Sequence, residues 1–212
     1  DILDPDEQVR PLCLPCFGVH TRSAATKQKS ESSLIDIPPD YAFASFTDLP
    51  AQTVARLTRW PKTTPFMLIA GQSGSRKTTS CWALARTLAG KNMRSVYLHL
   101  PTARTQWIAS QQKDKLLQTW CRHQFLFLDG LHPEQATDGW VVTIETILDT
   151  RHREGHPTVI TTPASNADIS RAYGGSVYSR LSNWFTAVQL PEVDYRVKNG
   201  GVACLTVKGG AR

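Results

Sequence analysis

Five short apolar runs punctuate the chain from residue 66 onward: FMLIA (66–70), SVYLHL (95–100), FLFLD (125–129), TVITT (158–162) and FTAVQL (185–190). Each is rich in β-branched or aromatic residues and bounded by turn formers, the pattern of strands buried on both faces. Helical patterns fill the intervals: TTSCWALARTLAG (78–90), TARTQWIASQQKDKLLQTW (102–120), DGWVVTIETILDTRHREG (138–155) and NADISRAYGGSVYSRLSN (166–183). In the first interval Trp82, Ala85, Leu88 and Ala89 recur at helical spacing and Gly90 is placed to stop the helix; Val141, Ile144, Ile147 and Leu148 repeat the pattern in the third. Strands alternating with helices predict an α/β fold, a mostly parallel five-stranded sheet sandwiched by helices through right-handed crossovers.

The first 40 residues lack this periodicity. They are rich in Pro, Ser and Lys, and TRSAATKQKSESS (21–33) reads as a flexible linker, so the expected division is a flexible segment over 1–40 and one domain over 41–212. The chain starts at Asp1 without a methionine, which suggests a portion of something longer. With 41% hydrophobic and 20% charged residues it reads as soluble and globular. No apolar run approaches the roughly 18–20 residues that cross a bilayer. DILDPDE is acidic where a signal peptide is basic. Five cysteines, an odd number and widely spread, do not form a disulfide framework, so a reducing cytoplasm is the simpler compartment. A net charge of +6 suits either a polyanionic partner, nucleic acid first, or an ordinary basic surface.

Chemistry concentrates at AGQSGSRKTTS (70–80), between the first strand and the first helix. Gly71, Lys77 and Thr78 fit a phosphate-binding loop, while Arg76 stands at its second glycine position. In such a loop the backbone of Ser73, Gly74, Ser75, Arg76 and Thr79 would curl around phosphate oxygens, helped by the helix N-terminus. Lys77 would reach the β- and γ-phosphates and Thr78 would place its hydroxyl on Mg²⁺, giving ATP or ADP with Mg²⁺ as cofactors. The plainer alternative is a Gly/Ser turn with a helix-capping hydroxyl. The Arg76 side chain must point outward to solvent or a neighbour, or add charge at the phosphates.

A magnesium-side carboxylate is expected at the end of a neighbouring strand, and FLFLD ends at Asp129. Gly130 follows, where many ATPases place the acid that polarises the attacking water; Glu134 stands four residues further along.

The order of these parts resembles the AAA+ ATPases, and more narrowly the bacterial replicative helicase loaders and the related transposition helper ATPases of the IstB type. The resemblance covers about residues 41–196 and rests on YAFASFTDL, GQSGSRKTTSCWALA, FLFLDGL, TVITTP and VYSRLSNW, in that order. It implies a P-loop three-layer sandwich without a separate helical lid. Thr161 or Thr162 would be the sensor of the γ-phosphate, although Pro163 stands where the family often has Asn. Arg180 would be an arginine finger acting on a neighbouring subunit, which implies a homo-oligomer joined through that face. The implied partners are a replicative helicase and single-stranded DNA, with Arg104, Lys113 and Lys115 as candidate phosphate contacts and Trp107 as a stacking partner. A solvated helix face is the alternative for those charges.

CLPCFGVH places Cys13, Cys16 and His20 as two or three candidate zinc ligands, short of the four a structural site needs. Trp120 and Trp140 read as packing residues. Two rival functions stay open: a transposition helper on duplex DNA that recruits a transposase, and a non-hydrolysing adaptor. Arg76, Gly130 and Pro163 motivate the adaptor.

Overall fold

The structure is a computed structural model that describes residues 35–195. Strands β1 (Phe66–Ala70), β2 (Ser95–His99), β3 (Phe125–Asp129), β4 (Thr158–Thr162) and β5 (Thr186–Gln189) form one sheet in the order β2-β3-β4-β1-β5. Every pairing is parallel. The helices are α1 (Ala51–Leu57), α2 (Lys77–Gly90), α3 (Leu100–Ala109), α4 (Lys113–Arg122), α5 (Asp138–Arg153) and α6 (Asn166–Trp184).

The strands read as continuous apolar runs because both faces are covered. Phe66, Leu68, Leu126, Leu128 and Ile160 face a core made with α3 to α6, where Trp120, Trp140, Ile144 and Tyr173 are buried. Their alternates Met67, Ile69, Phe127 and Val159 face the second core with Cys81, Trp82, Leu84 and Leu88 of α2. Ile35 and Ile37, ahead of the expected boundary at Tyr41, pack against this second core. On the outer strand, Arg56 of α1 donates to the carbonyl of Ala187 at 2.8 Å and helps cover an otherwise open sheet edge.

Two helical expectations need correction. The stretch 102–120 is not one helix: α3 begins at Leu100, directly after β2, and ends where Ser110 turns extended. The Ser110 hydroxyl then accepts from the Gln112 N–H at 3.0 Å. Such local side-chain bonding competes with helical hydrogen bonds, and the chain restarts as α4. Helix α6 is likewise interrupted at Gly174, which takes φ 79° and ψ 166°.

Parallel strands aim all their carboxyl ends the same way. In this strand order β4 lies between β1 and β3, so the loop after β1, the tip of β4 and Asp129 at the end of β3 converge at one edge, where α/β sheets bind ligands.

Candidate functional site

At this edge lies a cavity of about 470 Å³ lined by the loop after β1, Asp129, Gly130, Thr161, Tyr41 and two histidines, His99 and His132. The loop leaves β1 with the Gly71 N–H donating to the Thr162 carbonyl at 3.3 Å. Gly74 has φ +80°, a conformation that favours glycine, and a β-carbon there would displace the Asp194 carboxylate. Ser75 is buried, and its Oγ has no hydrogen-bond partner among the described residues.

Arg76 keeps the backbone of the glycine it replaces, at φ 73° and ψ 21°. A side chain in that left-handed region costs about 1–2 kcal/mol. Its guanidinium turns to neighbours: Nη2 lies 2.6 Å from Asp48 Oδ2, and the group sits 5.2 Å from the centroid of the Tyr195 ring. Tyr195 in turn donates its N–H to the Gly74 carbonyl at 3.1 Å and its hydroxyl to the Asp48 carbonyl at 2.8 Å. The substitution therefore ties the outer side of the loop to the segments at residues 48 and 195.

Lys77 opens α2, whose N-cap Arg76 supplies no side-chain capping bond. The Lys77 ammonium folds back on its own loop, donating to the carbonyls of Gly71 at 2.7 Å and Gln72 at 2.8 Å.

Asp129 is 5% exposed and collects three hydroxyl donors. Thr78 Oγ1 and the Tyr97 hydroxyl donate to Oδ2 at 2.9 and 2.6 Å, and Thr161 Oγ1 donates to Oδ1 at 2.6 Å. Burial, and then the Asp129 charge, push the Tyr97 phenol well above its ordinary range, so it stays a donor. The Cys81 thiol is pushed up by the same two causes. A Thr hydroxyl beside a carboxylate is a hard-oxygen donor pair suited to Mg²⁺, and it borders a loop whose buried Ser75 hydroxyl has no hydrogen-bond partner among the described residues. These residues fit a magnesium–nucleotide.

No protein-family model matches the chain, and no curated protein matches it in sequence. Solved structures match it in fold. The crystal structure of DnaI does so with TM-score 0.64 at 18% identity, over 76% of this chain and 95% of that one. The DnaC helicase loader gives 0.61 at 19%, over 73% and 100%. Replication initiator DnaA bound to AMPPCP and single-stranded DNA gives 0.60 at 12%, over 74% and 51%. The chain has the AAA+ fold.

Within this AAA+ fold the two β4 threonines separate. Thr161, not Thr162, faces the carboxylate: besides donating to Asp129, its Oγ1 accepts from the Gly130 N–H at 2.9 Å. Thr162 Oγ1 instead donates to the Leu131 carbonyl at 2.7 Å and accepts from the Ala164 N–H at 3.1 Å. Alternation along a strand explains the split, since successive side chains point to opposite faces.

Arg180 does not line the chain's own AAA+ cavity. Its Nε and Nη2 form a fork onto Asp149 Oδ1 and Oδ2 at 2.6 and 2.7 Å, and Nη1 donates to the Ser176 carbonyl at 3.1 Å and to the Ser176 hydroxyl. Glu145 lies 3.8 Å away. The hydrogen bonds from Arg180 hold the Asp149 carboxyl below its usual range.

The basic residues diverge as well. Arg104 reaches toward Thr137, at 3.5 Å, while Lys113 and Lys115 are exposed on α4. Lys113 Nζ covers the Trp107 ring at 4.6 Å, and a β-carbon on Gly139 would meet that ring at 3.0 Å. Lys113 thereby covers one face of the expected stacking platform. Cys13, Cys16 and His20 lie outside the described residues. Among the described residues no group of three or more His, Cys, Asp and Glu side chains is placed to hold a metal, and no helix is long and apolar enough to cross a membrane.

Sequence reasoning missed Tyr97 and His132. Tyr97 is hidden inside an apolar run, and only the β2–β3 register, with His99 opposite Asp129, carries its hydroxyl to the site. Replacing it with Phe keeps the 4.1 Å stack on Trp82 but removes one donor from a buried carboxylate. A bond to a charged group contributes about 1.5–3 kcal/mol, and urea denaturation of Tyr97→Phe should register a loss of that order. Unchanged stability would mean that water replaces the phenol.

Proposed function

We propose that the chain is an ATP-binding AAA+ protein of helicase-loader type, which binds ATP with Mg²⁺, assembles with copies of itself through the Arg180 face, and acts on a replicative helicase and single-stranded DNA. The observation that carries this reading is the Thr78–Asp129 hydrogen bond at 2.9 Å, beside Lys77 in one cavity. It joins the two halves of a magnesium–nucleotide site that lie far apart in sequence.

In this reading Lys77 would leave the carbonyls of Gly71 and Gln72 for the phosphates, and Thr78 and Asp129 would hold a metal that would supply positive charge to the nucleotide. The uncapped N-terminus of α2 adds further donors. Arg180, released from Asp149 by a neighbouring copy, would supply charge to that copy's nucleotide. Likeness in fold to the DnaC helicase loader, and to a DnaA bound to single-stranded DNA, supports the choice of partners.

Binding to single- and double-stranded DNA, with and without ATP, tests the nucleic-acid part. A loader prefers the single strand when ATP is bound. Lys113→Ala with Lys115→Ala should weaken binding across all sequences and reduce the salt dependence by about 0.7 for each lost phosphate contact. Preference for duplex DNA would instead favour the transposition-helper reading. Gly130, which supplies no acid beside Asp129, favours a second reading as an adaptor that binds nucleotide without cutting it.

A further inference from the structure

We propose that His132 takes the place of the missing acid at position 130, accepting the proton of the water that attacks the γ-phosphate; this rests on the reading of the cavity as an ATP site.

Position 130 cannot readily carry a side chain. Its φ of +85° is a glycine conformation, and an added β-carbon would lie 3.2 Å from His132 Nε2, 3.3 Å from His132 Cδ2 and 3.7 Å from Pro101 Cδ. The imidazole therefore occupies the space into which a residue at 130 would extend. It lines the same cavity as Lys77, Thr78 and Asp129, with 35% of its side chain exposed.

The backbone beneath His132 is fixed at every step. The Gly130 N–H donates to Thr161 Oγ1 at 2.9 Å, and the Leu131 N–H donates to the Thr161 carbonyl at 2.8 Å. The Leu131 carbonyl accepts from Thr162 Oγ1 at 2.7 Å, and the His132 carbonyl accepts from the Tyr173 hydroxyl at 2.9 Å. A side chain on so constrained a loop is positioned in advance, as general-base catalysis requires.

Glu134 Oε1 stands 3.9 Å from His132 Nδ1, beyond hydrogen-bond length, so Nδ1 faces a carboxylate while Nε2 faces position 130. Nε2 is the nitrogen assigned as acceptor. The other histidine of the cavity, His99, has its Nδ1 2.9 Å from Thr102 Oγ1 in α3. The step balances as hydrolysis: the water oxygen bonds to the γ-phosphorus, the bridging oxygen leaves with ADP, and the water proton moves to His132 Nε2 and on to solvent. The products are ADP and inorganic phosphate.

The test uses the full chain with single-stranded DNA and compares wild type with His132→Ala. The expected result is unchanged ATP affinity, phosphate release slower by about 100-fold or more, and failure to trap ADP with aluminium fluoride. Free imidazole should restore turnover to His132→Ala, and not to Lys77→Ala. A conservative His132→Asn variant should be equally slow, which separates loss of the base from loss of packing. Glu134→Gln should lower kcat with KM unchanged. The proposal is overturned if His132→Ala turns over like wild type, if imidazole does not rescue it, or if wild type binds ATP and never cuts it. That last outcome leaves the nucleotide-binding reading intact. Absence of ATP binding by wild type would end both.

Discussion

Replacing Arg151 with methionine is expected to lower the free energy of unfolding by about 2–3 kcal/mol, the cost of stripping the donor from buried neutral acceptors. Arg151 is completely buried at the end of α5. Its guanidinium donates to the carbonyls of Cys121, His123 and Pro157 at 2.9, 2.7 and 2.8 Å, and to Thr158 Oγ1 at 2.8 Å. One side chain thereby joins the end of α4 to the chain entering β3 and β4. Burial pulls the guanidinium down to about 10, which leaves it charged at neutral pH. Methionine fills similar volume but donates nothing. The His123 carbonyl loses its donor, while the Cys121 and Pro157 carbonyls keep only the longer contacts from His156 Nδ1 at 3.3 Å and the Leu126 N–H at 3.2 Å. Arg151→Lys should recover only part of the loss, because an ammonium cannot reproduce the planar fork. Urea denaturation followed by tryptophan fluorescence measures both variants. The site of damage lies at the opposite end of the sheet from the cavity, so the folded fraction should bind nucleotide normally. A loss below about 1 kcal/mol would mean that water reaches those carbonyls.

The second large effect is on ligand affinity. Lys77→Ala should weaken ATP binding by roughly ten- to a hundredfold, the equivalent of one charge-assisted hydrogen bond of about 1.5–3 kcal/mol. Arg76 is no substitute, since its guanidinium is paired with Asp48 at 2.6 Å and stacked on Tyr195. The fold should tolerate the change. Lys77 Nζ donates to the carbonyls of buried Gly71 and exposed Gln72, and at Gln72 water can take its place.

The sequence made the strands legible because a sheet covered on both faces leaves no polar alternation to blur them. All five expected runs hold a strand. The turn between β1 and α2 and the carboxylate at the end of β3 were legible for a different reason: each is a local pattern, glycines ahead of a helix and an acid closing an apolar run. What was hidden depends on contacts between elements. The break between α3 and α4 turns on one serine hydroxyl. The choice of Thr161 over Thr162 depends on which face of β4 meets Asp129. Arg151 reads as a helix-terminal cation, although it continues the buried stripe of Ile144, Ile147 and Leu148 at helical spacing, a signal that could have exposed it. His132 carries no local signature, since its meaning comes from the φ of Gly130 and from the imidazole filling the space a side chain at 130 would take.

The proposed ligand of this cavity is a magnesium–nucleotide held by Lys77, Thr78 and Asp129. Equilibrium titration of a fluorescent ATP analogue into wild type and Lys77→Ala, each with Mg²⁺ and with chelator, tests it most directly. Saturable binding by wild type that weakens in chelator, with affinity at least about tenfold lower in Lys77→Ala, is the predicted result. Equal binding by the two proteins, or binding indifferent to Mg²⁺, would contradict it.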